Sequence, residues 1–326
     1  MIEVIEPGLY TTIQDLGRPG FYSMGLPPSG ALDMFSHCAA NALVGNTSNA
    51  STLEITFAGP ALKFSTAATI ALVGAKADAT LDGQEIEAGA SILVNAGQVL
   101  RFGFMRTGAR TYLAVRGGID VPQVMGSRST YVLSGIGGLE GRALRAGDQL
   151  AIGDEIRPES SGKAGIAMPP EYLTEPKNEQ ELRVVPGLCD YRLTKNGLES
   201  LFGSPYRVSP EANRTGYRFS GEHLEFVDRE APFGAGDDPS NVVNLGYPIG
   251  SIQAPSGSEL ICLMRDAITG GGYATLGTVI MSDLDRIAQM RLPDVAYFVQ
   301  VDLDVALAER KMMQQRLAQV VELGNA

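Results

Sequence analysis

The sequence predicts a mainly β protein of two barrel-like domains, with a few helices and one helix at the C-terminal end. Three observations predict it. Turn-forming residues are abundant, 39 Gly and 18 Pro among 326, whereas Phe and Tyr number eleven each and Trp is absent. Short apolar stretches alternate with polar ones and are punctuated by turn dipeptides. That periodicity lapses over residues 157–180 (RPESSGKAGIAMPPEYLTEPKNEQ) and then resumes, which marks a linker.

In order along the chain, Asp33 is placed to cap a helix whose Phe35, Cys38, Ala39 and Ala42 share a face, and Gly45-Asn46 stops it. Leu53, Ile55 and Phe57 alternate with polar neighbours, and Gly59-Pro60 turns the chain into a strand at 61–64. Residues 69–73 form an apolar run suited to a buried strand. Asp82-Gly83 between two short runs signals a hairpin. Residues 96–100 and 146–150 echo each other (AGQVL, AGDQL), each a turn feeding a strand. Beyond the linker, strand-like runs fall at 182–185, 206–208, 260–264, 278–281 and 295–301. From Leu303 the period changes: Ala306, Leu307, Met313, Leu317, Val320 and Val321 share one helical face, and Asp302 is placed to cap it. The expected organisation is an N-terminal domain over 1–160, a second over 181–302 and a terminal helix over 303–326.

Composition removes several function classes. A formal charge of −11 without a Lys/Arg cluster argues against a nucleic-acid surface. No run approaches the ~20 apolar residues that span a bilayer, and the first residues lack a basic and then apolar leader, so a cytoplasmic location is expected. Cys38, Cys189 and Cys262 are far apart and read as reduced thiols. His37 and His223 are the only histidines, neither in a metal or nucleophile motif, and both read as structural. No P-loop pattern occurs. Residues 135–141 (GIGGLEG) have Glu140 where a dinucleotide fingerprint needs glycine, and they lead toward a strand, so a flexible turn is expected.

Five polar, glycine-studded loops remain: 8–20 (GLYTTIQDLGRPG), 27–33 (PPSGALD), 126–130 (GSRST), 213–218 (NRTGYR) and 265–273 (RDAITGGGY). Each alone reads as a cap, an ion pair or a turn. Together they suit a small polar ligand held by hydrogen bonds, and consecutive glycines let main-chain N–H groups approach it.

Taken in order, and with the stop at 43–46, the LEIT run at 53–56 and AVRGGID at 114–120, these loops resemble the KipA / allophanate hydrolase subunit 2 family. That family includes the C subunit of 5-oxoprolinase and the carboxyltransferase segment of urea carboxylase. The resemblance runs from about residue 2 to residue 310. It departs from the usual pattern at Ile268, at the extra glycine of 270–272 and at the 213–217 run. It implies cyclophilin-like β-barrel domains, a KipI-like partner subunit and, for the 5-oxoprolinase branch, a LamB/YcsF-like subunit, with ATP consumed at the level of the complex. Biotin enters only on the carboxyltransferase alternative, and a KipA-like regulator that binds a KipI-like kinase inhibitor is the non-enzymatic one. An amide, lactam or ureido substrate needs donors for its oxygen and an acceptor for its N–H. Asp266, Arg128 and Arg214 are accordingly the expected catalytic residues. Gln14, Asp15, Arg18, Ser29, Asn213, Tyr217, Thr269 and Tyr273 are the expected substrate-binding ones, on loops expected to converge on one cleft, with no metal ligand among them.

Overall fold

The computed structural model describes residues 1–160, 162–173, 176–230 and 233–323. Among the described residues the chain is mainly β with four α-helices, and it divides into two compact units. The first contains Met1–Arg18, Ser29–Pro176 and Gln314–Ala326. The second contains Pro19–Pro28 and Lys177–Met313.

Two sheets build the first unit. The strand Ile2–Glu6 is an interior strand of a seven-stranded sheet, between Gln149–Ile152 and Ala61–Phe64. The second sheet runs in the order Tyr10–Gln14, Thr52–Thr56, Arg110–Val115, Ala68–Gly74, Ser91–Val94. Inward residues of both sheets, among them Ile2, Val4, Phe64, Leu100, Leu53, Ile70 and Leu113, form one apolar core. The Asp82-Gly83 hairpin forms as its sequence dictates. Both residues take positive φ (49° and 82°), and Leu81 pairs with Gln84 across the turn. The 53–57 alternation ends one residue early. Thr52–Thr56 is buried on both faces, and Phe57 leaves the strand at φ 61°.

Helix α1 (Met34–Leu43) covers the outer face of the five-stranded sheet. The Asp33 carboxylate caps it by accepting from the Ser36 backbone N–H at 2.9 Å, and Gly45 at φ 74° ends the run. All of α1 except Met34 is buried, polar Ser36, His37 and Asn41 included, so the helix is covered all round rather than along one apolar stripe.

In the second unit, seven strands close a barrel: Glu179–Pro186, Gly277–Val279, Ser251–Gln253, Glu259–Leu263, Gly216–Ser220, Pro205–Val208 and Val295–Gln300. The closure is parallel, Glu179–Pro186 against Val295–Gln300. Tyr206 and Phe219 pack on Phe298, with ring centroids 5.5 and 5.7 Å away, and fill the interior. A two-stranded ribbon, Asn241–Gly246 with Gly270–Tyr273, belongs to the same unit.

Helices α2 (Lys195–Gly203) and α3 (Met281–Gln289) were not foreseen; the strand-like run at 278–281 stops at Val279 and turns helical. Helix α4 (Leu303–Leu323) starts where expected, and Asp302 accepts from the Val305 N–H at 2.8 Å. Residues 324–326 of the expected terminal helix lie outside the described residues. The 157–180 stretch, of which residues 161, 174 and 175 also lie outside them, is not a free tether. Arg157 donates to the Val321 and Ala42 carbonyls, and Gly165 and Met168 donate backbone bonds to Ser91 and Gly89. Up to Pro176 these residues count with the first unit.

Candidate functional site

The first unit gathers Gln14, Asp15, Arg18, Ser29 and Arg128. Asp15 follows the strand Tyr10–Gln14 and is only 2% exposed. Its carboxylate accepts from the Gly17 N–H (2.7 Å), the Ser127 hydroxyl (2.7 Å), the Ser129 hydroxyl and the Arg128 N–H (2.6 Å). Four donors satisfy its two oxygens. Arg18, 1% exposed, donates to the Ser129 carbonyl, and Gln14 Nε2 donates to Thr12 Oγ1 and the Thr130 carbonyl. Loops 8–20 and 126–130 are thereby locked together as an internal brace. Ser29 is fully buried, with φ 53°. The Arg128 side chain is committed to Glu155 (2.6 Å), Asp120 (3.5 Å) and the Val121 carbonyl.

The second unit gathers the other six. Arg214 and Asp266 form a buried, two-pronged ion pair: Nε to Oδ2 at 2.8 Å and Nη2 to Oδ1 at 3.1 Å. Their backbones are also bonded, Asp266 N–H to the Arg214 carbonyl at 3.0 Å, just beyond the paired strands Gly216–Ser220 and Glu259–Leu263. Asn213 shapes the turn, its Oδ1 accepting from the Thr215 and Gly216 N–H groups. Tyr217 points into the core, where its hydroxyl donates to the Met290 carbonyl. The Thr269 carbonyl accepts from the Tyr247 N–H, and Tyr273, 40% exposed, closes the ribbon. Tyr247 holds that ribbon with one hydroxyl, which donates to the Tyr273 carbonyl and accepts its N–H. The ribbon is tight at Gly270 and Gly271. A Cβ there would meet the Leu245 carbonyl at 2.9 Å or the Tyr247 ring at 3.0 Å.

Sequence reasoning passed over Tyr22. Residues 19–28 count with the second unit, and the Tyr22 hydroxyl is buried with no hydrogen-bond partner among the described residues. Burial raises its pKa, and the Arg265 charge opposes that rise. Its only sequence signal was an aromatic pair, Phe21-Tyr22, directly after a Pro-Gly turn. A groove of about 750 Å³ in the first unit, lined by Phe35, Val73, Lys76, Asp78, Met168 and Tyr172, contains none of the residues chosen from the sequence.

The glycine run 135–141 packs against the 126–130 loop, with the Gly138 N–H donating to the Arg128 carbonyl at 2.8 Å. A Cβ on Gly137 would lie 2.1 Å from the Ser129 carbonyl, and one on Gly138 2.0 Å from Thr130 Oγ1.

The chain belongs to the family described as carboxyltransferase domain, subdomain A and B, which matches residues 24–300. It is 38% identical to the C subunit of 5-oxoprolinase from Escherichia coli over 98% of this chain and 97% of that protein. It is 34% identical to urea amidolyase of Lachancea kluyveri over 99% of this chain but 18% of that protein. The urea carboxylase structure from Kluyveromyces lactis superposes with a TM-score of 0.91 at 31% identity, covering 98% of this chain and 29% of that one. Among the described residues no helix is long and apolar enough to cross a membrane.

Proposed function

We propose that this chain is the C subunit of an ATP-dependent 5-oxoprolinase, in which the lactam of 5-oxoproline is opened by water to give glutamate. The observation that carries this reading is the end-to-end match to a 5-oxoprolinase C subunit at 38% identity. The complex would also contain a KipI-like and a LamB/YcsF-like subunit and would be cytoplasmic. ATP would act at the level of that complex, since the sequence of this chain carries no P-loop pattern.

Within the second unit, Arg214 and Asp266 are the proposed centre of the chemistry. Both Asp266 oxygens already face Arg214. In this arrangement the carboxylate orients the guanidinium, and a fixed guanidinium suits a developing amide oxygen. Thr269 and Tyr273 would orient the ligand along the ribbon. Asn213 and Tyr217 support it from the turn and the core. Gln14, Asp15, Arg18, Ser29 and Arg128 contribute a rigid loop framework to the first unit, through which they would act on substrate binding.

The test is reconstitution with both partner subunits and an assay of glutamate release from 5-oxoproline. Release that requires ATP and all three subunits is expected. No release from the complete assembly would sink the reading. The close likeness to urea carboxylase favours one alternative, transfer of a carboxyl group from carboxybiotin to a urea-like acceptor. Carboxylation of urea in the presence of a biotin carboxylase and a biotinylated carrier would establish it.

A further inference from the structure

We propose that Arg192 and Arg229 form a seat for an oxyanion, beside the Tyr273 end of the glycine ribbon. Arg192 ends a 3-10 turn (Asp190–Arg192) and is 5% exposed. Its Nη1 and Nη2 both donate to the Asn241 carbonyl at 3.3 Å, and Nη2 also donates to the Pro239 carbonyl. Arg229, half-buried, donates its Nη2 to that same Asn241 oxygen. Two guanidinium groups thus meet on one carbonyl, and neither has a carboxylate partner among the described residues. Arg229 Nε is buried with no acceptor among them.

This arrangement is electrostatically incomplete. Burial and the Arg229 charge lower the pKa of Arg192, and only Tyr191 and Cys189 oppose them. Like charges at close range, partly removed from water, are costly unless an opposite charge joins them. Another buried cation of the second unit, Arg214, has its own carboxylate. At Arg192 and Arg229 an anion would supply the opposite charge, and planar guanidinium groups match a carboxylate or phosphoryl group.

The position connects the seat to the ribbon. Asn241 pairs with Tyr273 across its two strands, and Tyr191, 70% exposed, adjoins Arg192. The preferred ligand source, a small amide acid, rests on the functional reading above, because a lactam acid carries a carboxylate and urea does not. A phosphoryl group shares the same chemistry.

Titration calorimetry on the full chain distinguishes the sources, with 5-oxoproline, 2-pyrrolidone (the same ring without the carboxylate) and inorganic phosphate as probes. The expected result is binding of 5-oxoproline at least about tenfold tighter than 2-pyrrolidone, the scale of one charge-assisted contact. Arg229→Gln should lose that advantage and Arg229→Lys should keep most of it, at unchanged melting temperature. Phosphate binding with the same sensitivity to Arg229→Gln, and no 5-oxoproline binding, supports the seat and assigns it to a phosphoryl ligand. The proposal is overturned if the parent chain binds neither anion, or if Arg229→Gln binds both as the parent does. Equilibrium binding needs no partner subunit, so failed glutamate release by the complex would remove the enzymatic reading and leave this result standing.

Discussion

Asp266 and Arg214 are each buried and each satisfy the other, so neither can be altered alone without consequence. Asp266→Asn keeps the shape but removes the negative charge of the pair, and breaking a buried pair from one side costs about 3–5 kcal/mol. The expected outcome is a lower denaturation midpoint together with lost activity in the assembled complex. Replacing both partners with apolar residues, Arg214→Met with Asp266→Leu, should recover most of that stability. Activity should stay absent in the double variant, and its return would show that the pair is a brace and not the reacting centre. The residue types at this pair were legible in the sequence; their partners were not always so. Asp15 is satisfied by Ser127, Arg128 and Ser129, 112 to 114 positions away, and no local pattern encodes that. Tyr217 shared a polar loop motif with Asn213, yet the strand beginning at Gly216 turns its ring into the barrel.

Among the elements, tight turns were the most readable, because their residues answer to backbone sterics rather than distant packing. Asp82-Gly83 and the paired AG turns are cases, Gly97 and Gly147 taking φ of 90° and 89°. Helices α2 and α3 were not readable. The first carries Gly197 inside it, where a Cβ would lie 2.3 Å from the Glu225 carbonyl, so packing overrides propensity. The second begins after Ile280, which provides no side-chain cap. The 146–150 turn also carries a pH signature. Asp148 accepts from Arg142 at 2.8 and 2.9 Å and from the Arg145 N–H at 2.7 Å. The Arg142 hydrogen bond, first among the causes, lowers its folded pKa below the ordinary carboxylate value of 3.8. A depressed folded pKa means stability that is present above the unfolded value and lost as pH falls through the folded one. Asp148→Asn should therefore be less stable than the parent at neutral pH, and the gap should close below about pH 4. Urea midpoints measured from pH 7 to pH 3 check this, and a gap constant with pH would refute the linkage.

For the molecule as a whole, the division into units does not follow the order of the chain. Residues 19–28 count with the barrel unit, and residues from Gln314 onward count with the two-sheet unit that also holds the strand Ile2–Glu6. A composition shift at 157–180 signals one boundary but cannot show either exchange, because both depend on contacts between segments far apart in the sequence. Helix α4 is correspondingly uneven. In its first half Leu303, Leu307 and Met312 are exposed, whereas Val320 is fully buried with Leu317 and Val321 against the α1 cluster of Phe35, Ala39 and Leu43. Arg316 stacks over the Phe35 ring at 4.3 Å, and Arg157 holds the Val321 carbonyl. Apolar burial at Val320 is thus the main fastening of the last turns, and Val320→Ala should cost about 1–2.5 kcal/mol, the range for deleting buried methyl groups. Because that loss falls on the first unit, its amides should show it and those of the barrel strands should not. Hydrogen exchange read by mass spectrometry separates the two. The variant should show faster exchange over residues 34–43 and 314–323, with Glu259–Leu263 and Gly216–Ser220 unchanged. Equal acceleration in both units would mean that the two unfold as one cooperative body and that the helix end has no local role.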